Sequence, residues 1–254
     1  MTTQDTSLDI AELVEVALAA AAVGAATLRA GYGQAVQISG KDNAGDLVTE
    51  IDVAAERSVR QTLARLRPQD LVTGEELPDS SASQARVRWS IDPLDGTTNF
   101  TRRIPYFATS VGAQELATGE WVAGVVHAPM LDKVYVAGRG LGSRMRHAGT
   151  TSVLSGPTGS TSARLLGTGF SYSAHTREIQ SRELAQLLTS YTDIRAIGSA
   201  ALAICMVADG SLDAYVESDL GEYDWAGGAV VAQEAGVQVH RPGPQSSVLT
   251  VLPG

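Results

Sequence analysis

Residues 90–100 read SIDPLDGTTNF, which sets Asp92 and Asp95 three positions apart around Pro93 and crowds Gly96, Thr97, Thr98 and Asn99 behind them. Read locally, Asp-Pro-Leu-Asp-Gly is a turn that lets both carboxylates and the Leu94 carbonyl face one point. Like charges held that close need a cation to cancel their repulsion. Three other acidic groups stand at the ends of expected elements: DLVTEID (46–52), GEE (74–76) and Asp224 in YDWAGG. The set offers oxygen ligands only, since Cys205 is the single cysteine and none of the four histidines lies near an acid cluster. Oxygen donors select a hard ion, and magnesium is the first choice; it binds oxygen at roughly 2.0–2.1 Å and shares its remaining positions with substrate phosphate. Two such ions about 3.5–4 Å apart clamp the attacking and leaving oxygens of an in-line displacement. Glu75, Asp92, Asp95 and Asp224 supply enough carboxylates for two. Gly96 lets the backbone approach a phosphate, and Thr97 offers it an N–H and a hydroxyl, helped by any helix that starts there.

Each acid also has an ordinary explanation when taken alone. Asp224 reads as a helix N-cap, Asp52 as a first-turn acid favoured by the helix dipole, and Glu75 with Glu76 as a solvated loop pair. The combination outweighs these. Other residues stay with ordinary roles: Trp89, Trp121 and Trp225 fall within strand or helix patterns and read as packing, Cys205 as a buried helix residue, and RMRHAG (144–149) as a solvated hairpin. Arg102 and Arg103 lie near enough to the motif to meet substrate or a second subunit.

The elements that must position these residues follow from pattern. A helix is expected over 7–31 and a second over 50–66, ending before Pro68. Strands then dominate through LVTG, VRWSID, YFATSVGAQEL, WVAGVVHAP and KVYVAG. Beyond residue 150, ARLLGTGF, a helix over 176–189, DIRAIG, a helix over 199–209, LDAYVE and a helix over 225–235 alternate strand with helix. Ser-, Thr- and Gly-rich stretches at 79–84, 149–162 and 241–247 read as loops. The expectation is an α/β chain forming one domain over 1–254, with an α+β lobe over 1–150 and an α/β lobe over 151–254. In such sheets ligands gather outside the carboxyl ends of strands.

A length of 254 residues with 44% hydrophobic content can bury a full core. A net charge of −9 speaks against non-specific grip on nucleic acid or an anionic membrane. The apolar run Leu13–Leu28, acidic at its front, reads as too short for a spanning helix or a secretion signal. One cysteine suits a reducing compartment, so a cytoplasmic location is expected.

The ordered motifs DLVTEID, GEE, IDPLDGTTNF, IGSAALAICMVADGSLDAYVE and YDWAGGAVVAQEAG resemble the inositol monophosphatase family of magnesium-dependent, lithium-sensitive phosphomonoesterases over nearly the whole chain. The resemblance implies a five-layered αβαβα sandwich of the kind shared with fructose-1,6-bisphosphatase, assembled as a homodimer. It implies that Glu75, Asp92, Asp95 and the Leu94 carbonyl hold a first ion, that Asp92, Asp95 and Asp224 hold a second, and that Glu75 reaches a third. Asp52 then pairs with Thr97 to orient the nucleophilic water, with Asp46 in support, and either Asp52 or Glu75 acts with Thr97 to remove or relay its proton. Gly96 and Thr97 meet the phosphate, Ser199, Ala200 and Glu217 meet the alcohol, and Asp95 and Asp224 count with them as substrate-binding. The reaction so implied is direct attack of metal-activated water on a small phosphorylated polyol, inositol 1-phosphate first. Histidinol phosphate and fructose 1,6-bisphosphate are the alternative substrates within the family; a regulatory or binding member that kept the fold and lost turnover is the alternative of another class. Thr98 and IGSAALAICMVADG depart from the histidinol-phosphate type. RHAGTTSVL lacks the Asn-Gly turn common in that hairpin, and the chain ends at SSVLTVLPG, where members usually continue into a last strand and helix.

Overall fold

Asp9 opens the first helix by accepting the Glu12 N–H at 3.0 Å, which stops the helix from starting at residue 7 as expected. The structure, a computed structural model, describes residues 8–35, 38–40, 47–159, 163–244 and 246–254. In chain order the elements are α1 (Ile10–Gly31), β1 (Ile38–Gly40), β2 (Leu47–Thr49), α2 (Glu50–Leu66), β3 (Leu71–Gly74), β4 (Val87–Asp95), α3 (Thr97–Thr101), β5 (Ala108–Glu115), β6 (Trp121–Ala128) and β7 (Lys133–Gly138). They continue with β8 (Gly142–His147), β9 (Thr150–Val153), β10 (Leu165–Thr168), α4 (Ala174–Leu187), β11 (Asp193–Arg195), α5 (Ala200–Ala208), β12 (Ala214–Ser218), α6 (Glu222–Glu234), β13 (Gln238–His240) and β14 (Val248–Leu252).

Seven strands, β3 to β9 in sequence order, make one sheet. In it β3 runs parallel to β4, and the other neighbours are antiparallel. A second sheet has the order β11-β10-β12-β14-β13, with β10 parallel to both β11 and β12. Helices α1 and α2 cover one face of the larger sheet, and α5 and α6 lie between the two sheets. Helix α4 covers the far face of the smaller sheet, where Leu184 packs with Leu166 and Ala214. The result is the five-layered αβαβα sandwich.

The apolar stripe of α1, including Leu13, Val16, Ala17 and Ala20, is buried with Val59 and Leu63 of α2 and Val111, Val122 and Val125 of the sheet. At 22 residues this helix is long and apolar enough, by length and composition, to cross a membrane, which corrects the expectation that the stretch is too short. In the fold that apolar face is spent on the core layer. The three tryptophans are buried, and Trp121 meets Trp225 edge to face at 5.6 Å between β6 and α6. Helix α6 can lie this close because Gly227 faces β5 and β6: a Cβ there would stand 2.6 Å from Ser110 Oγ.

Part of the stretch expected as a loop over 149–162 is strand. Thr150–Val153 pairs with β8 through a two-residue connection, with His147 opposite Thr150. Both connecting residues are left-handed, Ala148 at φ +48° and Gly149 at φ +76°, as a type I′ hairpin requires. Alanine carries a Cβ penalty there that asparagine largely avoids. Ala148→Asn is therefore expected to stabilise the protein by about 0.5–1 kcal/mol. A urea midpoint that falls, or stays where it was, counts against this account of the turn.

Candidate active site

In a regular strand, residues three apart point to opposite faces. Asp92 and Asp95 nevertheless serve one site, because β4 is bulged between them: Asp92 pairs with Ser110 and Asp95 with Ala108, leaving Pro93 and Leu94 opposite Thr109 alone. The expected turn is thus a β-bulge inside a strand, which re-aims side chains as bulges beside active sites do. Proline is tolerated because the bulge releases it from donating to the ladder. Its carbonyl accepts the Thr109 hydroxyl at 2.9 Å, and Asp92 Oδ1 accepts the Leu94 N–H at 3.0 Å.

Gly96 follows at φ +107°, with its Cα so close to the backbone that a Cβ would meet the Gly198 and Tyr106 carbonyls at 3.0 Å. The chain then enters α3 at Thr97. The Thr97 hydroxyl lies 3.0 Å from Asp52 Oδ1 and 3.2 Å from the Leu94 carbonyl. Asp52 is fully buried at the third position of α2, where Oδ2 accepts the Thr49 N–H at 2.8 Å and the Thr49 hydroxyl at 2.5 Å. Thr49 Oγ1 in turn accepts the Ile51 and Asp52 amides, completing a capping box. Burial raises the Asp52 carboxyl above its ordinary range. Thr97 lines the cleft and Asp52 does not, so Asp52 touches the cleft only through Thr97. Asp46 lies outside the described residues.

Asp95 is buried against the start of α5. Its carboxylate accepts the Ser199 hydroxyl at 2.5 Å, the Ala200 N–H at 3.0 Å and the Ala201 N–H at 2.7 Å. Burial lifts it to about 6 despite those three donors. Asp224 is the third residue of α6 rather than its N-cap, and Oδ2 reaches back to accept the Gly221 N–H at 2.6 Å. Arg88 fixes that helix start by gripping Glu222 with two contacts, of 2.6 and 2.8 Å. One oxygen each from Asp92, Asp95 and Asp224 lies within 4.8 Å of the other two. Asp92 and Asp224 are both pushed well above the carboxylate range, first by burial and then by neighbouring carboxylates, Glu75 and Asp95 acting on each. Uncancelled repulsion of this kind is what a bound cation relieves.

Glu75 lines the same cleft on the turn after β3. Its support comes from Glu56, a residue that sequence reasoning missed. Glu56 is fully buried in α2 and accepts the Glu76 N–H at 2.8 Å and the Leu77 N–H at 3.3 Å. Arg60 neutralises it at 2.7 Å and also donates to the Leu77 carbonyl at 2.9 Å. Glu76, expected as a solvated acid, is half-buried in this turn. The only signal in the sequence is an acid and an arginine four apart on a helix, a spacing more often found in surface pairs.

The cleft has a volume of about 290 Å³ and opens at the carboxyl ends of β4, β10 and β12. The acids, Gly96 and Thr97 line it together. On the opposite wall Glu217 accepts a hydrogen bond from the buried Tyr215 hydroxyl, and burial lifts its carboxyl to about 7. Ser199 and Ala200 also line the cleft, although the Ser199 hydroxyl is engaged by Asp95. Among the described residues, no lysine, arginine or histidine lines the cleft, so its carboxylates face no side-chain cation there. Arg102 and Arg103 are exposed outside it.

The sequence model described as "Inositol monophosphatase family" matches residues 9–252. The chain belongs to the inositol monophosphatase family. It is therefore a phosphatase, of a phosphomonoesterase family that depends on metal ions. An inositol-1-monophosphatase named SuhB, from Mycobacterium tuberculosis strain H37Rv, is 42% identical over 237 residues, covering 89% of this chain and 80% of that protein. The protein named Nus factor SuhB, from Escherichia coli K12, is 34% identical over 80% of this chain and 74% of its own length. The solved structure of Mycobacterium tuberculosis SuhB superposes with a TM-score of 0.81 at 39% identity, covering 97% of this chain and 93% of that one. The Bartonella henselae suhB structure superposes at 0.86 with 27% identity over 95% and 93%.

Proposed function

We propose that this family member hydrolyses inositol 1-phosphate to inositol and phosphate with magnesium as its cofactor. The observation that carries the reading is the convergence of Asp92, Asp95 and Asp224, three carboxylates all raised by burial, Asp92 and Asp224 also by neighbouring carboxylates, beside the Thr97–Asp52 pair. Glu75, Asp92, Asp95 and the Leu94 carbonyl would hold one ion; Asp92, Asp95 and Asp224 would hold a second, and Glu75 would reach a third. Bound magnesium supplies Lewis acidity toward water and phosphate oxygens. The chain's own part is orientation. By donating to Asp52, the Thr97 hydroxyl turns its free lone pair toward the cleft, where it can accept a proton from an attacking water. Gly96 keeps backbone space for phosphate oxygens, and Glu217 can accept hydrogen bonds from the polyol hydroxyls.

The alcohol wall favours a neutral polyol over a bisphosphate, since a second phosphate would face Glu217 and Asp219 with no cationic side chain lining the cleft among the described residues. The same two acids support a second reading, a phosphate ester of an amino alcohol such as histidinol phosphate, whose ammonium they could pair. The three substrates separate in one experiment: phosphate release from inositol 1-phosphate, histidinol phosphate and fructose 1,6-bisphosphate, with magnesium and with chelator. Inositol 1-phosphate is expected to show the highest kcat/KM, and chelator to stop all release. Release that persists in chelator would sink the metal assignment; a lead for histidinol phosphate would move the substrate to the second reading. The relatives named Nus factor make a binding role without turnover worth the same assay, and the intact acid set favours catalysis.

Glu56 should act through Glu75. Glu56→Gln removes the charge paired to Arg60 and weakens the grip on the 75–77 turn, so half-activation by magnesium is expected to need about ten times more ion, as outer partners of metal ligands typically require. With saturating magnesium kcat should recover to within a few-fold. An unchanged magnesium requirement would show that Glu56 serves the fold alone.

A further inference from the structure

The turn between β10 and α4 carries Phe170 and Tyr172 on either side of Ser171. Both residues line the cleft, and they are 37% and 44% exposed. Single exposed aromatics are ordinary; two flanking one residue at the mouth of a cleft, on a backbone locked in every direction, are not. Ser171 is held at each polar atom. Its N–H donates to Gln180 Oε1 at 2.9 Å, its carbonyl accepts from Arg177 at 2.8 Å, and its hydroxyl bonds Asp219 and accepts the Ser173 N–H at 3.0 Å. Gln180 is buried and passes the restraint to β12, donating to the Ser218 carbonyl at 3.1 Å and hydroxyl at 3.0 Å. Asp219 sits at φ +69°, a left-handed conformation that costs a non-glycine residue and that its bond to Ser171 helps to hold. The Tyr172 hydroxyl lies 3.3 Å from Thr98 Oγ1, which ties the rim to the residue beside Thr97.

We propose that Phe170 and Tyr172 form a preset aromatic platform for the carbon face of a ring alcohol, and that this platform biases the enzyme toward phosphate esters of ring alcohols over open-chain ones. The inference rests on the reading of the cleft as a phosphomonoesterase site and adds the alcohol class to it. A cyclitol or sugar presents a hydroxyl edge and a face of C–H bonds. Glu217 on the cleft wall suits the first. The electron-rich faces of two aromatic rings suit the second, and because the turn is already fixed, little ordering cost opposes binding. An open chain offers no such face.

Three esters separate the contributions: inositol 1-phosphate has hydroxyls and a ring face, cyclohexyl phosphate has the face alone, and glycerol 2-phosphate has hydroxyls alone. With the full chain and saturating magnesium, Phe170→Ala and Tyr172→Ala are expected to raise KM for both ring esters by about five- to tenfold. They should leave kcat within about twofold and KM for glycerol 2-phosphate unchanged. Glu217→Gln should do the reverse, sparing cyclohexyl phosphate. Tyr172→Phe keeps the ring and should keep ring-ester KM near the wild-type value. Unchanged ring-ester KM in both alanine variants, or an equal rise on all three esters, would overturn the platform. If the wild-type enzyme with magnesium releases phosphate from none of them, the phosphomonoesterase reading fails, and the platform falls with it.

Discussion

Asp92→Asn is expected to abolish turnover while raising the melting temperature of the metal-free protein. Asp92 is 1% exposed and feels the charges of Glu75, Asp95 and Asp224, and among the described residues its side chain accepts one hydrogen bond, from the Leu94 amide at 3.0 Å. Asparagine keeps that acceptor, offers its amide hydrogens to the neighbouring carboxylates, and removes one buried negative charge. The gain in metal-free stability should be about 2 kcal/mol, or roughly 4–8 °C for a chain of this size. Turnover should fall by about a thousandfold or more, since the proposed assignment gives Asp92 to two ion sites and ion stabilisation of the transition state is worth several kcal/mol. Asp95→Asn should also lose activity but gain no stability. Its carboxylate accepts three donors at the start of α5, and an amide nitrogen turned toward any of them replaces an acceptor with a donor. Thermal melts in chelator and phosphate release at saturating magnesium test both halves. An Asp92→Asn enzyme within tenfold of wild type would remove Asp92 from the metal site, and a lower metal-free melting temperature would mean that the burial and repulsion acting on its carboxyl do not destabilise the metal-free fold.

The acids of the site were legible because each sits at an element end with the residue types that metal chemistry needs, and the ordinary reading of each is also locally true. Asp52 does close a capping box and Asp224 does reach back to a helix-start amide; the fold uses one carboxylate for a cap and for a site. What local pattern could not show was how Asp92 and Asp95 come to one side. A turn and a bulge share the same proline and glycine punctuation, and only pairing with Ser110 and Ala108 distinguishes them. Glu56, Gln180 and Arg88 were invisible for a related reason. Each acts on a segment between nine and 134 positions away, and an isolated polar residue in a helix or strand carries no sign of so distant a partner.

Helices α2, α5 and α6 lie close to their expected positions because caps and apolar content mark them within the chain itself. Of the three-residue strands, β1, β2 and β13 have no such signature, while β11 falls within the expected DIRAIG. Their existence depends on a neighbour to pair with, and β14, placed between β12 and β13, supplies it for β13. The hairpin of β8 and β9 was legible at its basic end and missed at Thr150–Val153, where serine and threonine read as loop although β-branched residues suit a strand.

The metal-free protein is expected to be more stable at pH 5 than at pH 7.5, with magnesium erasing the difference. Asp52, Asp92, Asp95, Asp224 and Glu217 all have carboxyls raised on folding, chiefly by burial. A raised carboxyl holds its proton more tightly folded than unfolded, so over the intervening pH range the native state binds more protons and stability falls as pH rises. The stabilising contribution is complete below the unfolded value near 4. It is lost as pH climbs through about 6 for Asp95 and about 7 for Glu217, and Asp92 and Asp224, raised by burial and by their neighbouring carboxylates, act in the same direction. His127 works in the opposite direction: burial lowers it, so its contribution improves as pH rises toward its ordinary 6.5. One imidazole does not offset that many carboxyls, and a net fall on the order of 2–3 kcal/mol is expected between the two pH values, seen as roughly 5–10 °C in melting temperature. Magnesium requires the ionised carboxylates and so binds more strongly at pH 7.5; at a hundredfold excess over its dissociation constant it restores about 2.7 kcal/mol. Melts in chelator and in magnesium at both pH values measure each part. A metal-free protein that melts higher at pH 7.5 would contradict the raising of these carboxyls on folding, and Asp92→Asn should flatten the metal-free slope, because it removes a fully buried carboxyl on which the charges of Glu75, Asp95, Asp224 and Asp52 converge.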